Sequence, residues 1–220
     1  MHRQILGFAV HRVCIRCMQN PGMHDLRSEI AASAARLVVE DGLDYAAAKR
    51  RAARESGVLS SAVLPDNREI EAAVRTYLNL FHGQTQAREL AALRRLALTW
   101  MDRLIEFRPH LCGAVWHGTA TRNSGIHLDL FCDDPKLTEI AVVNLGLALG
   151  SSRQIINREN NVSTVHFIDI CSELDSDIDI FMSIKDYDMI RGELRSDRQG
   201  RSPRGDAAQL RRLVEAAADA

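Results

Sequence analysis

Two short alternating segments carry the ionisable side chains best suited to chemistry. Residues 126–131, IHLDLF, put His127 and Asp129 two positions apart. On a strand, positions i and i+2 share a face, so the imidazole and the carboxylate project the same way. Residues 177–181, DIDIF, repeat the arrangement with Asp177 and Asp179. If the two strands are neighbours, three carboxylates and one imidazole converge. Carboxylates so placed hold two divalent cations, which clamp the attacking and leaving oxygens of a phosphoryl transfer. Gly118-Thr119 lies just upstream of the first strand. A glycine there lets the backbone approach a phosphate, and the Thr hydroxyl and following N–H groups can bind its oxygens. The competing expectation for each acidic pair is an ordinary solvent-facing strand side.

The elements that position these residues fall into two halves. Residues 23–108 read as a helical region. Leu26, Ile30, Ala34, Leu37 and Val38 recur at helical spacing, and Gly42 ends that segment. Asp44 caps a second helix that Gly57 closes. Its basic run, Lys49 to Arg54, is a solvated face, or else a contact for a phosphate backbone. Asp66 with Glu69 forms a capping box before a helix whose apolar face is Ile70, Val74, Tyr77, Leu78 and Phe81. A long helix follows to about Phe107, with Trp100 on its apolar stripe, Arg88, Arg94, Arg95 and Arg103 outside, and Pro109 as the stop.

Residues 109–220 alternate strand and helix. Strands are expected at 111–116, 126–131, 154–156, 164–170 and 177–183, with a polar turn at 157–161. Helices are expected at 136–149, closed by Gly150, and at 207–218, capped by Asp206. The arginine-rich stretch 192–205 reads as a mobile loop. The whole is an α+β chain, a helical region packed on a small mixed sheet.

Composition limits the function classes. The chain has 220 residues, with Lys+Arg 28 against Asp+Glu 29 and a net charge of -1. No global charge draws it to nucleic acid or an anionic membrane. No apolar run is long enough to span a bilayer. Residues 1–22 read as a loose N-terminal extension. Their apolar patch is interrupted by His11, Arg12 and Arg16, which makes a poor secretory core, and Met23 follows the breaker Asn20-Pro21-Gly22. The five Cys are odd in number and sparse, which fits a reducing, cytoplasmic setting. Cys14 and Cys17 form a lone CxxC with only His2, His11 and His24 nearby, and it is read as incidental.

The order Gly118-Thr119, loop, then hydrophobic-x-hydrophobic-Asp-hydrophobic resembles the nucleotidyltransferase superfamily with the DNA polymerase β-like fold. That family uses a Gly-Ser turn, an Asp-x-Asp strand and a third Asp on a nearby strand. The resemblance covers roughly 111–183 and implies nucleotidyltransferase-like sheet topology. It implies Gly118 and Thr119 as phosphate binders, Asp129, Asp177 and Asp179 as catalytic carboxylates, and His127, Asp129 and Asp179 as ligands of Mg²⁺ or Mn²⁺. The reaction implied is transfer of a nucleotidyl group from an NTP, with a nucleic acid or protein acceptor held by the arginine-rich helices. Departures are visible. His127 stands where the family has Asp, and imidazole is a poor Mg²⁺ ligand. The loop 120–126 is short. In a second registration Ser124-Gly125-Ile126-His127-Leu128 lies on the family's Ser-Asp-Ile-Asp-Leu, and both metal ligands are gone. The segment 175–181, DSDIDIF, looks like the paired-Asp strand but has no Gly-Ser turn at the right distance. The alternative expectation is a catalytically inactive relative acting as a binding or regulatory module. The chain is also similar to short proteobacterial chains that carry a UDP-N-acetylmuramate–alanine ligase label, but it has no GxxxxGK-type ATP loop to support that activity.

Overall fold

Capping chemistry sets the helix boundaries of the first half. The structure is a computed structural model describing residues 21–58, 64–148, 155–159, 162–196 and 200–218. Helix α1 spans Pro21–Glu40, and the chain turns at Gly42, which has φ +66°. Helix α2 spans Tyr45–Glu55 and starts at Asp44, whose carboxylate accepts the Ala47 N–H at 2.8 Å. Helix α3, Asn67–Phe81, starts at Asp66 with the full capping box to Glu69. Arg27 pairs with that same Glu69, which ties α1 to the start of α3. Helix α4 spans Gly83–Arg103 and ends in a 3-10 turn, Ile105–Phe107.

The helices divide between two cores. Ile30, Leu37 and Val38 of α1 pack with Ala48 and Ala52 of α2 and with Ile70 and Val74 of α3. Leu93, Trp100, Met101 and Leu104 of α4 pack instead on the sheet. Packing therefore changes partners before α4, within the region 23–108. Trp100 is fully buried as expected, stacks on Phe167, and donates its indole N–H to Asp169 at 2.8 Å. Arg94 is not an outward residue. It is half-buried and donates to the carbonyls of Val115 and Trp116, and burial lowers its pKa.

The second half runs β1 (Pro109–Cys112), α5 (Gly113–His117), β2 (Ile126–Cys132), α6 (Pro135–Ala148), β3 (Ile155–Glu159), β4 (Val162–Cys171), β5 (Ser176–Asp186), α7 (Ile190–Glu193), β6 (Arg204–Asp206) and α8 (Ala207–Ala218). Among the described residues the sheet order is β3-β4-β5-β2-β1-β6. β2 and β5 are parallel and the other pairs antiparallel. One face is apolar: Ile126, Leu128 and Leu130 of β2 and Ile178, Ile180, Met182 and Ile184 of β5 join the core beneath α4, α6 and α8. The other face carries His127, Asp129, His166, Asp177 and Asp179, whereas Asp169 of β4 lies on the α4 side with Trp100.

Three expectations are corrected here. The apolar run 111–116 is not one strand, because Gly113, at φ +70°, ends β1 and starts α5. The polar stretch after Ile156 stays extended to Glu159 and pairs with Val162. The stretch 192–205 is not wholly loop, because Arg204 to Asp206 add β6 to the free edge of β1. The expected CxxC, Gly150 and residues 160–161 of the expected turn lie outside the described residues.

Candidate functional site

Strand register decides what meets on the polar face. His127 of β2, Phe181 of β5 and His166 of β4 lie directly opposite one another. Their rings stack in a ladder, with centroids 4.8 Å apart for His127–Phe181 and 4.6 Å for Phe181–His166. His166 Nε2 lies 2.7 Å from Asp179 Oδ1. The His127–Phe181 end of this ladder floors a cleft of about 550 Å³, which Asp179 also lines. The opposite wall is the α1–α2 turn, with Leu43, Asp44 and Tyr45, and the rim is Gly113, Ala114 and the loop 123–125.

The loop before β2 holds the two halves of the molecule at this cleft. Thr121 Oγ1 and Asn123 Nδ2 donate to the Val39 carbonyl, and Asn123 Nδ2 also to Glu40 O, so they satisfy the open carbonyls at the end of α1. A Cβ at Gly42 would stand 2.3 Å from the Asn123 carbonyl oxygen, which only glycine permits. Arg75 of α3 adds a bond to the His117 carbonyl.

His127 opens to solvent on the cleft side while protein hems in the rest of its ring. That desolvation holds its pKa below the ordinary 6.5, against the pull of Asp129, Asp44 and Asp179. Asp179 is half-exposed at the rim. Asp177 lies in an adjoining shallow groove with Glu40, Asp41 and Ser176.

Asp129 has a different fate. It lies on the same face but level with Ser183, four residues along β5 from Asp179, roughly 13 Å up the strands. Its carboxylate is buried between two cations: Lys185 Nζ is 3.2 Å from Oδ1 and Arg204 Nε is 2.8 Å from Oδ2. The Arg204 Nε–H is not aimed at that oxygen, so the contact is an ion pair rather than a hydrogen bond. Glu193 of α7 completes the cluster, paired with Arg204 and 3.4 Å from Lys185. Burial pushes the Glu193 pKa up, but the two cations outweigh it and hold it below the usual range. Cys112, beside the cluster, is pushed up to about 12 by burial and then by the charge of Asp129, so its thiol is no nucleophile.

Gly118 and Thr119 do not reach the cleft. Gly118, at φ +80°, caps α5, and a Cβ there would point toward Arg94 and Leu90 of α4. Its carbonyl accepts from Gln86. Thr119 is buried. The glycines that line the cleft are Gly42, Gly113, where a Cβ would meet His127, and Gly125, where it would meet Phe181.

Among the described residues no group of three His, Cys, Asp or Glu side chains could share a metal ion. Of the expected ligands, His127 and Asp179 line the cleft, and the two alone do not fit a two-cation site. Asp129 is already neutralised, and position 125 has no side chain. No described helix is long and apolar enough to cross a membrane.

Sequence reasoning missed His166, Lys185, Glu193, Arg204 and Gly113. His166 alternates correctly along β4, which was a usable signal, but its partner depends on strand order. Scans against protein-family models, curated proteins and solved structures each return no match.

Proposed function

We propose that this chain is a nucleotidyltransferase-fold protein that keeps a ligand cleft without a metal site and works as a binding or regulatory module. The observation that carries this reading is the burial of Asp129 between Lys185 and Arg204. A carboxylate so paired is not free to ligate a cation, and removing it from its partners is costly. The fold relationship is supported by the order β1, α5, β2, α6, with β5 parallel to β2. It is supported further by the second registration, in which Gly125 and His127 stand at the Asp-x-Asp positions. Both line the cleft, and in that registration Gly113-Ala114 at the start of α5 stands where the family has its Gly-Ser turn.

A second reading is a live metal-dependent transferase using NTP and Mg²⁺ or Mn²⁺. It is favoured by Asp179 and His127 sharing one cleft. One assay separates the two. Labelled NTP is incubated with Mg²⁺ or Mn²⁺ and either wild type or Asp179→Ala. The non-catalytic reading expects no transfer from either protein, and calorimetry without heat of binding at millimolar metal. Transfer by wild type that Asp179→Ala abolishes would establish the enzyme instead.

A further inference from the structure

We propose that the cleft takes a small linear polyamine, with its alkyl stem on the apolar walls and its ammonium groups on the carboxylates of Asp44 and Asp179. This inference rests on the non-catalytic reading and names the ligand class of the same cleft. Two features of the lining support it.

The first feature is charge. Among the described residues, no Lys or Arg lines the cleft, although the chain has 28 of them. A nucleoside triphosphate would bring several negative charges and meet neither a basic side chain nor a built metal site. Beside the imidazoles of His117 and His127, the cleft carries the carboxylates of Asp44 and Asp179. Both line the same cleft as His127 and favour its charged form. Asp44 uses Oδ1 on the Ala47 N–H and Asp179 uses Oδ1 on His166, so each keeps a second oxygen to accept from an ammonium. The Asp44 charge also offsets the positive end of α2, which weakens the appeal of that helix start to an anion. Desolvation lowers the His127 pKa and so disfavours its cationic form. The adjoining groove carries Glu40, Asp41 and Asp177 against Arg122, whose guanidinium is engaged by the Leu174 carbonyl.

The second feature is the walls. Val38, Leu43, Tyr45, Ala114 and Phe181 form an apolar lining. Apolar walls with a few fixed polar groups bind the methylene stem by burial and orient the charged ends.

Isothermal titration of the full chain with spermidine, and separately with ATP, tests this. Spermidine is expected to bind saturably with one-to-one stoichiometry. Asp179→Asn and Asp44→Asn are each expected to weaken it by about tenfold through loss of a charge-assisted hydrogen bond. Asn retains the cap at position 44, so the fold is kept, and thermal melting checks it. Asp133→Asn, at an exposed carboxylate outside the cleft, is expected to leave binding unchanged. Absence of saturable spermidine binding overturns the inference, as does an equal loss in Asp133→Asn, or ATP binding that Asp179→Asn tightens. The NTP-transfer assay reads the underlying proposal separately. Without transfer, failure with spermidine removes only the polyamine; with transfer, the non-catalytic reading itself falls.

Discussion

The same two strands carry Asp129 and the cleft group His127, Phe181 and Asp179, on the same face, with opposite outcomes. Asp129 is covered by α7 and β6, which bring Glu193 and Arg204 over it, and its charge is cancelled internally. A few residues away, the α1–α2 turn stands off from the sheet, and Asp179 stays at the rim of an open cleft. The intrinsic chemistry of the two carboxylates is identical. What differs is the element that lies across each, and that element decides whether a carboxylate holds the fold together or remains available to a ligand.

The sharpest way to break this contrast is Arg204→Met beside Asp179→Ala. The first leaves Asp129 buried with a single cation and is expected to cost about 3 kcal/mol or more in urea unfolding. The second removes a half-exposed group and is expected to stay within about 0.5 kcal/mol. Similar losses in both would mean that the two ends of the face are not distinct.

Gly125→Ala comes next. Its Cβ would lie 2.9 Å from Phe181 Cε2 and 3.2 Å from the Asp179 carbonyl oxygen. The Phe181 ring is held between two imidazoles and cannot step aside freely. A loss of about 1–3 kcal/mol is expected, typical of overpacking. A neutral result would mean that the ladder is loose.

The smallest effect is in pH dependence. His127 is held below 6.5 in the folded protein, so the unfolded chain binds more protons once pH drops past that value. Stability is full above about pH 6.5 and declines as pH falls from there toward the folded pKa. His127→Gln is expected to flatten that part of a melting-temperature profile. An unchanged slope would assign it to other groups.

What could be read from the residues was mostly local. Asp44, Asp66 and Glu69 act within one turn of their own helices, so their caps were legible. Alternation in β2 put His127 and Asp129 on one face, because the pleat is a property of the strand alone. Alternation does not say that β4 and β5 bring His166 and Phe181 beside His127, nor that Arg204 returns to Asp129, because both depend on strand order. Gly118 misled for a related reason. A glycine after an apolar run fits a phosphate turn and a helix C-cap equally well, and the choice rests on Gly113 having already broken the strand.

The pairing of β6 with β1 has a kinetic side. Cys112 and Arg204 face each other from about ninety residues apart in sequence, a longer closure than the 42 residues that separate Arg27 of α1 from Glu69 of α3, so it carries the larger entropic cost. The three-helix core is therefore able to assemble early, and the edge strand docks late. Until it does, Asp129 has lost one of its two cations. On a ribosome that charge is matched only after Arg204 has been made, so truncation just before Arg204 leaves a sheet whose acidic centre is only half-neutralised and whose β1 edge is open to pairing with another molecule.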